Sequence, residues 1–209
     1  PHTKWHSATR WEIESAPDGV SDGVIAKLGW PIFVKPANAG SSVGITKAHD
    51  RDALKQAIAL ALENDRKVVF EAFVDGHEVE CAVIGSDPAV ATRPGEIPPG
   101  AELYTYADKY TNGVSQVVIP ARLSEEKLDE VKTYAAMAYT ALNCEGLARC
   151  DFFVEHGTNR VMINEINTFP GFTPISMYPK LMEHEGLPVP QLIDRLIALA
   201  VERTEKQHG

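Results

Sequence analysis

Two short polar triplets in the C-terminal third of this chain, Arg149-Cys150-Asp151 and Glu165-Ile166-Asn167, are each embedded in an apolar, strand-like stretch. Successive side chains of a strand point to opposite faces, so Arg149 shares a face with Asp151, and Glu165 shares a face with Asn167. The intervening His156-Gly157-Thr158-Asn159-Arg160 reads as a hairpin turn that lays the two polar faces side by side. Two carboxylates and an amide oxygen, with no His or Cys among them, suit Mg2+ held jointly with substrate phosphates rather than a cage of protein ligands alone. A plainer reading stands beside it: Arg149 as counter-ion of a cross-strand acid pair, with no ligand at all.

Other stretches carry groups fit for a phosphorylated ligand. Trp30–Lys35 reads as a strand that delivers Lys35 to its end, and Pro36–Gly44 follows as a small-residue loop whose backbone N–H groups can approach an anion. Gly40-Ser41-Ser42-Val43-Gly44 matches G-x-S-x-G, which would make Ser42 a hydrolase nucleophile with His184 as base. That motif needs a strand turning sharply into a helix, whereas Ile45-Thr46-Lys47 looks extended. Nor is it a Walker A loop, because Lys-Ser/Thr does not follow Gly44. Backbone groups of Glu71-Ala72-Phe73-Val74 could read an adenine and Glu78 a ribose, although a plain strand and turn with solvated acids fits as well. In Thr168–Lys180, Thr173-Pro174 reads as an N-cap and first helical residue, which puts Ser176 in a first turn suited to a substrate carboxylate.

These groups need elements to hold them. Residues 51–63 carry Leu54, Ala57, Ile58, Ala61 and Leu62 at helical spacing, with Asp50 or Asp52 as cap. Lys67–Val74 and Glu78–Ile84 read as strands around the turn Asp75-Gly76-His77. Residues 85–114 are rich in Pro and Gly and show no good element, yet hold Tyr104, Tyr106, Lys109 and Tyr110; a loop of that length is commonly functional. Ser124 opens a helix with Glu125 and Glu126 in its first turn and a stripe of Leu128, Val131, Ala135, Ala138 and Leu142. A last helix spans about 191–203, with Leu192, Leu196, Leu199 and Ala200 inward. Helices interleaved with mostly antiparallel strands make an α+β pattern in two lobes.

At 209 residues and 44% hydrophobic content, the chain can bury a real core. A net charge of -9 without any basic run argues against nucleic-acid or membrane partners. Cys81, Cys144 and Cys150 have no metal-like spacing, and their apolar contexts favour reduced core thiols in a cytoplasmic protein. No stretch reaches membrane-span length and no signal peptide opens the chain, which begins with Pro1.

Taken in order, Lys35 to Gly44 (KPANAGSSVG), Glu71 to Glu78, Tyr106 to Tyr110 (YADKY), Arg149-Cys150-Asp151, and Asn164 to Thr173 (NEINTFPGFT) resemble the C-terminal, ATP-grasp region of D-alanine:D-alanine ligase. The resemblance covers essentially the whole chain. It implies an ATP-grasp fold with mainly antiparallel sheets flanked by helices, a small lobe over 1–74 and a large lobe over 75–209 carrying the metal and substrate site, with ATP between them. Two Mg2+ ions, with Mn2+ as the substitute, would be held by Asp151, Glu165 and Asn167, Glu165 bridging. Lys35, Ser42 and Lys109 would contact the phosphates, and residues 71–74 with Glu78 the adenosine. Arg149 and the Gly171 N–H would stabilise an oxyanion, Tyr110 would close over the site onto Ser41, and Ser176 with Met177 would hold the second substrate's carboxylate.

The implied reaction is ATP-dependent ligation of two D-alanines through an acyl phosphate, for peptidoglycan precursor synthesis. Tyr110 favours an amino acid as second substrate. The resemblance also implies a homodimer in the intact protein, and an N-terminal domain and an ATP-contacting lysine that cannot be assigned here. Two alternatives remain open: another carboxylate-amine ligase, such as a D-alanine:D-serine enzyme, and a nucleotide-binding fragment inactive without that domain.

Overall fold

The computed structural model describes residues 1–40, 43–98 and 117–208. Among them the chain divides into two compact units, one of His2–Asp75 and the other running on from Gly76 together with Pro1.

The first unit contains β1 (Trp5–Thr9), α1 (Arg10–Ser15), α2 (Pro17–Leu28), β2 (Ile32–Pro36), β3 (Thr46–Ala48), α3 (Arg51–Asn64) and β4 (Lys67–Ala72). The strands form an antiparallel sheet in the order β1-β4-β2-β3. Alternation along β2 and β4 sends Ile32, Val34, Val68 and Phe70 into a buried cluster with Leu54, Ala57, Ile58 and Ala61 of α3. Asp50 is the cap of α3, its carboxylate accepting from the Ala53 N–H at 2.8 Å. The residues before Trp30, for which the sequence reading offers no element, fold as β1, α1 and α2. Their start signals are a capping box between Thr9 and Glu12 and Pro17 at the first turn of α2.

The second unit contains β5 (Gly76–Gly85), β6 (Ala89–Ala91), β7 (Gly95–Ile97), α4 (Glu125–Ala141), β8 (Gly146–Glu155), β9 (Val161–Asn167), α5 (Met177–His184) and α6 (Val189–His208). The sheet runs β6-β5-β8-β9, and β7 also pairs with β5. All pairings are antiparallel. Two strands therefore occupy part of the 85–114 stretch in which no element was expected; each has three residues and is completed by pairing with the ten-residue β5. Gly76 and His77 likewise belong to β5 rather than to a turn.

One face of this sheet, Val79, Cys81 and Val83 of β5 with Ala148, Cys150, Phe152 and Val154 of β8, packs on Leu128, Val131, Ala135 and Tyr139 of α4. Tyr139, four residues beyond Ala135, takes the place expected for Ala138, and Leu142 caps the helix end, 65% exposed. On the other face, Ala82, Ile84 and Leu147 lie under Tyr178, Leu181 and Leu192 of α5 and α6. Ala200 of α6, expected inward, is exposed. Tyr139 and Tyr178 donate to the carbonyls of Gly85 and Val83 at 2.7 and 3.1 Å, so the β5 end is satisfied from both faces. The helices pack on this second face toward the Gly85 end, and beyond Ala82 the same face carries charged side chains. Among the described residues no helix is long and apolar enough to cross a membrane.

Candidate active site

The charged part of the sheet is organised by register. Glu80 on β5 stands directly opposite Asp151 on β8, and Asp151 stands opposite Glu165 on β9. One row along, Arg149 stands opposite Asn167. Strict alternation along β9 would put Glu165 and Asn167 on the same face as Val161 and Ile163, which face the α4 core. The ladder instead slips between Asp151 and Phe152: Phe152 pairs with Ile163 and Asp151 with Glu165, leaving Asn164 as an extra residue. This β-bulge switches faces within one strand, so Ile166 joins the core and Glu165 and Asn167 join Arg149 and Asp151.

Arg149 donates through Nε to Asp151 Oδ1 and through Nη2 to Oδ2, both at 2.7 Å, and its Nε lies 3.1 Å from Glu80 Oε2. Asp151 is 5% exposed. Burial raises its pKa, the Arg149 fork lowers it, and Glu165 and Glu78 raise it again, leaving it pushed up to about 6. The Arg149 pKa is raised as well: its burial lowers it, but Asp151, Glu80 and Glu165 overcome that and keep it charged. Three carboxylates, Asp151, Glu80 and Glu165, thus act on one guanidinium, a cluster of hard-oxygen ligands suited to a divalent cation. Among the described residues no group of three or more His, Cys, Asp or Glu side chains could hold a metal ion. The donor set therefore fits a cation that brings further ligands with it, as phosphate oxygens would.

The structure brings Gly171 and Ser176 together. A Cβ on Gly171 would come within 2.8 Å of Ser176 Oγ, so any larger residue there would displace the Ser176 hydroxyl. Ser176 is the N-cap of α5, not a first-turn residue. Thr173 and Pro174 precede the helix in a turn, closed by the Ser176 N–H on the Thr173 carbonyl at 2.9 Å, because the Ser176 hydroxyl also bonds the Thr173 N–H and hydroxyl at 3.1 and 2.9 Å. The Met177 side chain is buried against Tyr178 and Leu181, which leaves its backbone as the part able to meet a ligand. Asn167 Oδ1 accepts from the Phe169 N–H at 3.1 Å, fixing the amide's orientation.

In the first unit, Lys35 Nζ pairs with Glu71 Oε1 at 2.7 Å on the half-open face of the sheet. Beside them Lys47 Nζ lies 4.0 Å from the Phe73 ring centroid. The Ala72 and Phe73 N–H groups already donate to the Lys4 and Pro31 carbonyls at 2.9 and 3.3 Å. Glu78 is exposed at the start of β5. The extended reading of Ile45-Thr46-Lys47 agrees with β3 after the loop, and no helix starts before Arg51, so the G-x-S-x-G match lacks the geometry of a nucleophile elbow. Ser41, Ser42, Lys109 and Tyr110 lie outside the described residues.

Two groups escaped the sequence reading. Glu80 is two residues from Glu78, and that spacing in a strand was the available signal that it shares the charged face. Glu96 on β7 is fully buried and bound by Arg122 Nε and Nη2 at 2.9 Å, by the Arg122 N–H at 3.0 Å and by His77 Nδ1 at 2.9 Å. Its partners lie 19 and 26 residues away, so no local pattern announces it.

Solved structures with this architecture define the class. The D-alanine-D-alanine ligase from Coxiella burnetii matches with a TM-score of 0.85 at 35% identity, over 100% of this chain and 54% of that one. The VanG D-Ala:D-Ser ligase from Enterococcus faecalis matches with a TM-score of 0.82 at 37% identity, over 95% and 56%. The fold is α+β and of the ATP-grasp type. The family model described as D-ala D-ala ligase C-terminus matches residues 1–198, and the chain belongs to that family. A D-alanine--D-alanine ligase of Acetivibrio thermocellus is 52% identical over 203 residues, 97% of this chain and 54% of the relative. One of Geobacillus thermodenitrificans is 48% identical over 205 residues, 98% and 56%. The chain spans about half the length of the curated relatives it matches.

Proposed function

We propose that this chain is the nucleotide- and metal-binding part of an ATP-dependent D-alanine:D-alanine ligase that makes a peptidoglycan precursor in the cytoplasm. The observation that carries this reading is the row Glu80–Asp151–Glu165 beside Arg149, in which two buried carboxylates and an exposed one stand side by side on neighbouring strands and suit a cation. Residues 1–74 act as the small lobe and 75–209 as the large one. Asp151, Glu165 and Asn167 hold Mg2+, two ions with Mn2+ as substitute. The cations would neutralise phosphate charge during transfer to the first D-alanine's carboxylate.

The chain's own groups do the rest. Lys35, now paired with Glu71, shares its ammonium with the phosphates, assisted by Ser42 and Lys109. A purine is read by the Val74 N–H and the carbonyls of residues 71–73, since the Ala72 and Phe73 donors are occupied, and Glu78 takes the ribose hydroxyls. Arg149 and the Gly171 N–H stabilise the oxyanion formed when the second amine attacks the acyl phosphate. Ser176 and the Met177 N–H at the start of α5 receive that substrate's carboxylate. Tyr110, closing on Ser41, excludes water. The intact protein works as a homodimer, without nucleic-acid or membrane partners.

The likeness to a D-Ala:D-Ser ligase favours one second reading, D-serine as the attacking amino acid. Phosphate release by this chain with Mg-ATP, comparing D-alanine, D-serine and L-alanine, tests both. Release dependent on D-alanine supports the ligase reading. Nucleotide binding without D-alanine-dependent release makes this chain a binding part that needs the rest of the enzyme, and absence of nucleotide binding overturns the reading.

A further inference from the structure

We propose that Glu80 is a positioning residue for Arg149, the carboxylate that keeps the guanidinium in place once a divalent cation draws on Asp151. This rests on the nucleotide and cation reading above. Glu80, Asp151 and Glu165 form a row across β5, β8 and β9, with Asp151 in the middle. Directly opposed residues on neighbouring strands are about 5 Å apart, and opposed like charges destabilise a sheet unless something offsets them. Arg149 supplies the offset on one side, with both nitrogens on Asp151 at 2.7 Å and Nε 3.1 Å from Glu80. Glu80 is 7% exposed, so its attraction for the guanidinium is weakly screened.

A cation held by Asp151 and Glu165 competes with Arg149 for the Asp151 oxygens and repels its charge. Were Asp151 the sole anchor, cation uptake would displace the guanidinium from the place where an oxyanion forms. The strand order removes that conflict. Glu80 and Glu165 flank Asp151 on opposite sides, so the guanidinium can lean toward β5 while the cation sits toward β9. Further along the same face β5 carries Ala82 and Ile84, both packed in an apolar cluster, which marks the acid at position 80 as a local departure from core composition.

The test is Mn2+ uptake in the presence of ADP, followed by the electron paramagnetic resonance of free Mn2+. It compares this chain with Glu80→Gln, Arg149→Met and the double variant, with thermal unfolding of each recorded without cation. Glu80→Gln should weaken Mn2+ about tenfold. In the Arg149→Met background the same change should cost less than about twofold, because the competition it relieves is gone. Equal weakening in both backgrounds would mean that Glu80 acts by bulk charge alone and overturns the proposal. So does unchanged affinity, or a loss of affinity that tracks a lowered melting temperature. Absence of Mn2+ and ADP binding by the unaltered chain would instead overturn the nucleotide reading, and this proposal with it.

Discussion

Asp151 and Glu96 are buried carboxylates of one sheet, each gripped by two side-chain nitrogens of an arginine, and they titrate in opposite directions. For Glu96, burial alone would raise the pKa, but hydrogen bonds from Arg122 and His77 and the Arg122 backbone overrule it and hold it at about 2. Asp151 has an equally good fork and ends near 6, since its burial, first of all, and then its acidic neighbours Glu165 and Glu78 outweigh the arginine. The grip is the same and the surroundings differ. Glu96 is a contact completed by folding, whereas in the Asp151 row acid stands beside acid across three strands, an arrangement that a bound cation would relieve.

Substitution should separate the two sites cleanly. The largest effect is expected from Asp151→Asn or Glu165→Gln, which should abolish Mg2+-dependent turnover in the intact enzyme and Mn2+ uptake by this chain, with an unchanged circular dichroism spectrum. Retained uptake in either variant would end the assignment of these two residues as ligands.

Glu96→Gln should do the converse, costing about 3 kcal/mol in denaturant unfolding at pH 7 because Arg122 and His77 lose a buried charged partner. Mn2+ affinity should stay within about twofold. The depressed pKa of Glu96 contributes stability that is fully present above its unfolded value, near 4.5, and is lost as pH falls toward 2. That acid-side loss should be shallower in Glu96→Gln.

The smallest effect is a pH dependence with the reverse sign. The raised pKa of Asp151 contributes stability below its unfolded value, near 3.8, that is lost as pH rises through about 6. Above 6 the carboxylate is charged and ready for a cation, so Mn2+ uptake should weaken progressively on lowering the pH from 7 to 5. A flat profile over that range would show that Asp151 titrates like an ordinary exposed acid and dissolve the contrast with Glu96.

The part of the site carried by period and spacing was legible in the sequence. The triplets Arg149-Cys150-Asp151 and Glu165-Ile166-Asn167 do face one another, and β2, α3, β8 and β9 fall close to where their apolar patterns place them. What escaped depends on partners distant in sequence. β6 and β7 have three residues each and exist because β5 offers them a ladder. In β1 only Ala8 is buried, so its pattern shows no alternation. Thr173-Pro174 reads as a cap pair in the sequence, but the Thr173–Ser176 hydrogen bonds hold the chain in a turn, so that Ser176 becomes the cap and the helix starts at Met177.

The bulge at Asn164 has a consequence for how this region can vary. β9 serves the hydrophobic layer at its start and the charged layer at its end, and the change of layer is set by a count of residues rather than by the identity of any of them. A different side chain at position 164 leaves that count intact. Residues added or removed beside Asn164 are absorbed only if the slip changes with them: one fewer, with the bulge gone, restores strict alternation with Glu165 and Asn167 still beside Asp151, whereas losing the slip at the present length turns both into the core and Ile166 out among the acids.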